Sequence, residues 1–157
     1  LVKHDSFAMM HESGMRKHPF FKKIGSFSIN RSNPKDIIVS LNYAKNLLKK
    51  DKSIWIFPQG DERHLEIRPL QFQSGVIHIL KEIPLTPIIP IAIYYTFGHV
   101  RKPEIYINIG EPIYYNQLDG ANKKEKTAKL ESLFTNVLDE LKKDVMNESY
   151  EHYESIL

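Results

Sequence analysis

Residues 25–57, "GSFSINRSNPKDIIVSLNYAKNLLKKDKSIWIF", carry the pattern that decides the fold class. Phe27 and Ile29 alternate with small or polar neighbours over 25–31, the period of a short strand. Asn33 then offers an N-cap, and Pro34 stands at the first helical position, where its missing N–H costs nothing. Ile37, Ile38, Leu41, Ala44, Leu47 and Leu48 recur at helical spacing and predict an amphipathic helix as far as Lys50. "SIWIF" (53–57) returns to strand. Strand, helix and strand within about thirty residues have the size of a βαβ unit. Such a crossover makes its two strands parallel and is right-handed in nearly every case.

The remaining elements follow the same logic. A loop containing Pro69 leads to a helix near Gly75–Glu82 and then to the apolar strand "IIPIAIYYTF" (88–97). "EIYINIGEPI" (104–113) alternates cleanly as a further strand. The longest helix is predicted over 122–147, with Leu130, Leu133, Phe134, Val137, Leu138, Leu141 and Val145 on one face. The expectation is an α/β fold, a single-domain mixed, partly parallel sheet flanked by helices. No internal repeat, low-complexity tract or linker divides it. One domain is expected over residues 1–157, missing its N-terminal part, since the chain starts at Leu1 and its opening residues read like the middle of a protein.

Composition narrows the function classes. With 41% hydrophobic and 26% charged residues the chain is neither a disordered tail nor a membrane bundle. The absence of cysteine excludes disulfide and thiolate chemistry. The most apolar run, "PLTPIIPIAIYYTFG" (84–98), is too short and too broken by proline to span a bilayer. No signal peptide is recognisable. A net charge of +3 is too small to indicate nucleic acid, and no nucleic-acid motif is present.

The predicted strand 53–57 runs straight into "PQGDER" (58–63). In open α/β sheets, ligands bind beyond the carboxyl ends of the strands. The neighbouring strand is expected to end in "INR" (29–31), so two polar clusters at adjacent strand ends would form one site. Gly60 permits tight turning or close approach to backbone, and Pro58 stiffens the exit. A plain polar turn between two core elements accounts for the same composition.

Four segments in order, "GSFSINR" (25–31), "IFPQGDER" (56–63), "RPLQFQSG" (68–75) and "PIIPIAI" (87–93), resemble the glycerophosphate/lysophosphatidate acyltransferase family. The resemblance covers residues 9 to 113. It implies a fatty acyl group passing from an acyl thioester to a lysophospholipid or related lipid alcohol, 1-acylglycerol-3-phosphate foremost. The donor would be acyl-CoA or acyl-ACP, with no cofactor and no metal, and no cluster of convincing metal-ligand spacing is present. Arg31 matches the arginine that such enzymes place on the acceptor's phosphate, a group that a guanidinium grips bidentately. Pro58 and Gly60 match the proline and glycine of the family's F-P-E-G-T-R-S block, Phe72 and Gly75 the residues after it, and Pro90 the proline of the last block. Gln59 replaces the family's glutamate, and Asp61 and Glu62 replace its threonine and arginine. Arg63 or Arg68 then stands in for that arginine. The substrate-binding set is therefore Arg31, Pro58, Gln59, Gly60, Asp61, Arg63 and Arg68. Two acids beside a phosphate site repel it unless they face elsewhere, so a glycolipid or another amphiphilic alcohol is an alternative acceptor.

The family's chemistry also needs a histidine and an aspartate in an H-x4-D block ahead of "GSFSINR". The histidine is the general base on the acceptor hydroxyl, and the carboxylate orients its ring. The residue five places after each of His4, His11, His18, His64, His78 and His152 is Met9, Arg16, Lys23, Pro69, Ile83 and Leu157. His99 has Glu104 at that distance, but it follows the last block instead of preceding the second. Adjacent His4 and Asp5 have the wrong spacing. No catalytic residue is assigned, and this chain alone is expected to be inactive. The pair lies upstream, or the protein is a non-catalytic lipid- or phosphate-binding module of the same fold.

Met9, Met10, Met15, Phe20 and Phe21 interleave with Arg16, Lys17, Lys22 and Lys23. This segment either lies on an anionic lipid surface, apolar side down, or packs its Met and Phe residues into the core. The first reading puts the protein peripherally on the cytoplasmic face of the membrane. The expected partners are the acyl thioester, the lipid acceptor and that surface, and not nucleic acid.

Overall fold

The computed structural model describes residues 5–99 and 101–156. Its elements, in chain order, are β1 (Ser6–His11), α1 (Glu12–Lys17), a 3-10 turn (Pro19–Ile24), β2 (Ser26–Ile29), α2 (Pro34–Leu48), β3 (Ser53–Trp55), α3 (Gly75–Leu80), β4 (Ile91–Phe97), β5 (Pro103–Ile109), a 3-10 turn (Tyr115–Gln117) and α4 (Lys123–Met146). The expected α/β architecture is present, with its parallel strands flanked by helices.

The βαβ unit forms where its sequence places it. Asn33 Oδ1 accepts from Lys35 N at 3.0 Å, and Pro34 opens α2. Leu41 and Ala44 are buried against Ile79 of α3 and, across the sheet, Met9, Phe27, Ile54 and Ile56. Burying one such leucine contributes about 1.5–3 kcal/mol, so the helical period of α2 and the strand period of its neighbours specify one packing.

Two readings are corrected. The strand ending in "INR" is not the neighbour of β3. The sheet order is β2–β1–β3, all parallel, and β1 lies between them. Nor is 9–24 one amphipathic segment: it breaks into a strand, a short helix and a 3-10 turn. Met9 packs into the core and Met15 is buried, whereas Phe20 and Ile24 are exposed.

The sheet is also in two pieces. β4 and β5 form a separate antiparallel pair, registered Ile91 to Ile109 through Phe97 to Pro103. Alternation divides the pair's faces: Ala92, Tyr94 and Tyr106 pack on Val137, Leu138, Leu141 and Val145 of α4, while Ile93, Tyr95, Phe97, Ile105 and Ile107 are exposed. A third cluster (Ile77, Ile113, Leu118 and Leu130, with Phe72 and Phe134) ties α3 to α4 and joins the two halves.

Candidate functional site

The three parallel strands end on the same edge, and their carboxyl-terminal extensions are His11, Asn30–Arg31 and Pro58–Arg63. Arg31 leaves β2 and reaches across the end of β1. Its Nη1 donates to the Gly60 carbonyl at 2.7 Å and to Asp61 Oδ1 at 2.8 Å. Nε and Nη2 have no protein partner among the described residues, which leaves the side-on edge of the fork open. The guanidinium is about one-third exposed (31%), within reach of a solute yet held by two bonds.

Gly60 is glycine for a reason visible here. Its φ is +72°, in the left-handed region, and a Cβ would lie 3.2 Å from Arg31 Cζ and Nη1 and 3.3 Å from Gln73 Cγ. The guanidinium thus approaches the bare backbone of the turn as closely as only a glycine allows. That turn is fastened further by Gly60 N to the Phe57 carbonyl at 3.1 Å and Gln73 N to the Pro58 carbonyl at 2.8 Å.

Asp61 and Glu62 do not both turn away from the arginine. Asp61 faces it, and the hydrogen bond from Arg31 holds its carboxyl below the usual range against the opposing effect of desolvation, with the charges of Arg31, Arg63 and His11 also lowering it. Glu62 and Arg63 are exposed. Gln59 points inward instead: its Nε2 donates to the Leu70 carbonyl at 3.0 Å. A glutamate there would have no proton to give.

The structure therefore brings Arg31, Gly60 and Asp61 together, with Pro58 and Gln59 shaping their turn and Arg63 adding its field. Arg68 is not part of that group. It is spent on Asp139 of α4 (Nε to Oδ1 at 3.2 Å, with Nη2 on the same oxygen) and on the carbonyls of Leu65 and Ile67. Beside it, Glu66 pairs with Lys142. These ion pairs rim an open cleft with Lys143, Met146 and Asn147 and pin the loop 61–73 to α4. Phe72 stacks edge-on with Phe134 at 5.3 Å, and Pro90 is fully buried, so both act through packing.

Sequence reasoning missed two contributors. His11 has the wrong spacing for a general base, yet it ends the central strand on the edge that carries Arg31. Its Nδ1 lies 2.8 Å from Ser13 Oγ and 3.2 Å from Ser13 N. The short apolar run of "SFAMMH", bounded by Ser6 and His11, was the signal available. Glu131 accepts from Gln71 N and Phe72 N, both at 2.9 Å, and so clamps the backbone where Gln71 has φ +61°. No local sequence signal marks it. His99 sits apart, bonded to Glu148 at 2.6 Å, which raises its pKa. His4 lies outside the described residues. Among those residues no group of His, Asp and Glu could hold a metal ion, and no helix is long and apolar enough to cross a membrane.

Residues 7–94, more than half of the chain, match the protein-family model described as "Acyltransferase". No curated protein sequence and no solved structure matches. The matched span runs from β1 into β4 and contains the whole Arg31–Gly60–Asp61 group.

Proposed function

The chain belongs to the acyltransferase family, and from that premise we propose that it moves a fatty acyl group from a thioester, acyl-CoA or acyl-ACP, to the hydroxyl of a lysophospholipid or related lipid alcohol. The observation that carries this reading is Arg31, held close against Gly60 at the carboxyl edge of the parallel strands with Nε and Nη2 unbonded among the described residues. A guanidinium presented side-on is suited to two oxygens of one phosphate. The acceptor's headgroup would sit there, leaving its hydroxyl near the strand ends. The hydroxyl oxygen forms the new C–O bond to the acyl carbon as the C–S bond breaks, and a general base carries the hydroxyl proton to the leaving thiolate.

No histidine of this sequence has an aspartate at the family's spacing. The proposal therefore places the base outside residues 1–157 and gives this chain the acceptor side of the site. Exposed Phe20 and Ile24, flanked by exposed Lys22 and Lys23, support docking on an anionic lipid surface at the cytoplasmic face.

The test is an acyl-transfer assay on the protein as its gene encodes it. Arg31→Ala is expected to raise the acceptor KM about tenfold and leave the donor KM unchanged. Equal acceptor KM values would refute the headgroup role. Turnover by residues 1–157 alone would refute the placement of the base. Lipid binding without transfer by the gene-encoded protein would instead favour a binding module.

A further inference from the structure

We infer that Asp61 is a specificity-determining residue, and that the Arg31–Asp61 pair selects an acceptor whose headgroup is a zwitterionic phosphodiester carrying an ammonium in preference to a phosphomonoester. The inference rests on the acceptor-site reading above and deepens it.

Three observations lead there. Asp61 bonds the same nitrogen, Nη1, that bonds the Gly60 carbonyl, so the carboxylate does not block the arginine's Nε and Nη2 edge. Held 2.8 Å from Arg31 Nη1, it is a negative charge on the same guanidinium, half exposed at 54% and able to face a ligand. The formal charges of the turn and its arginine also cancel, Arg31 and Arg63 against Asp61 and Glu62.

A phosphomonoester carries about −1.5 to −2 at neutral pH. Placed on Arg31, it meets one cation already paired and a carboxylate next to it. A phosphodiester brings a single negative charge for the open edge of the guanidinium, and its ammonium then falls within reach of Asp61. Each ligand charge has an opposite charge on the protein, and the ion pair need not break.

The test uses two soluble headgroups, sn-glycero-3-phosphoethanolamine and sn-glycerol 3-phosphate, titrated into the protein and followed by calorimetry. The wild type is expected to bind the ethanolamine ester more tightly. Asp61→Asn, nearly isosteric, is expected to raise glycerol 3-phosphate affinity about fivefold and to reverse the preference. Arg31→Ala is the control and is expected to weaken both. If it does so while Asp61→Asn leaves the ratio of affinities unchanged, the role of Asp61 is overturned and the headgroup site stands. If Arg31→Ala changes neither affinity, or neither probe binds, the headgroup site falls and this inference falls with it.

Discussion

Replacing Gly60 by alanine tests the close approach of Arg31 to the turn. Two costs are expected. At φ +72° an L side chain is in the left-handed region, worth about 1–2 kcal/mol of strain. The new Cβ would also sit 3.2 Å from Arg31 Cζ and Nη1. That is tighter than ordinary contact, so the guanidinium must shift and its 2.7 Å bond to the Gly60 carbonyl must lengthen. A weakened charge-assisted bond adds about 1 kcal/mol, giving a total near 2–3 kcal/mol. Urea denaturation of wild type, Gly60→Ala, Arg31→Ala and the double variant separates the two costs. With Arg31 already truncated, Gly60→Ala should cost only the strain and the remaining 3.3 Å approach to Gln73 Cγ, and the cycle should show a coupling of about 1 kcal/mol. A Gly60→Ala protein within about 0.5 kcal/mol of wild type would contradict the strained turn. An undiminished cost in the Arg31→Ala background would contradict the contact.

Three further outcomes follow from the same geometry. Gln59→Glu removes the donor to the Leu70 carbonyl and sets two acceptors against each other, so denaturation should show a loss of about 2 kcal/mol. Glu131→Ala frees the two amides of Gln71 and Phe72; a similar loss of about 2 kcal/mol is expected, with faster amide exchange at both positions. The Asp61 carboxyl, followed by carbon NMR, should titrate below the usual range because of the bond from Arg31 and return upward in Arg31→Ala. Since the folded pKa is the lower one, the pair's contribution is present above about pH 4 and is lost as the pH falls through the depressed value. An unchanged Asp61 titration in Arg31→Ala would refute the pairing.

Local patterns carried much of the fold. The Asn33 cap, Pro34 and the spacing of Leu41 and Ala44 are short-range signals, and α2 forms where they place it. The apolar run of 88–97 and the clean alternation of 104–113 marked the strands of the β4–β5 pair, and the long helix expected over 122–147 forms as α4. What failed was long-range. β1 is a six-residue strand whose two methionines face opposite sides, and its place between β2 and β3 depends on contacts that no local period records. The two-strand unit of residues 25–57 therefore looked adjacent when it was not. The site divides the same way. Arg31 and Gly60 were marked by the ordered segments, because a turn that must accept a guanidinium needs glycine. The direction of Asp61 is set by a partner 30 residues away, and Arg68 is claimed by Asp139, 71 residues downstream. Side-chain identity at those positions carried no information about which charge would find which.

The most direct test of the acceptor site is to locate where the headgroup binds. Isotope-labelled protein would be titrated with sn-glycero-3-phosphoethanolamine while the Arg31 Nε–H and the amides of Gly60 and Asp61 are followed. The account predicts that these signals move together along one saturating curve. Shifts confined to the cleft of Glu66, Arg68, Asp139 and Lys142, with Arg31 and Gly60 unmoved, would contradict it.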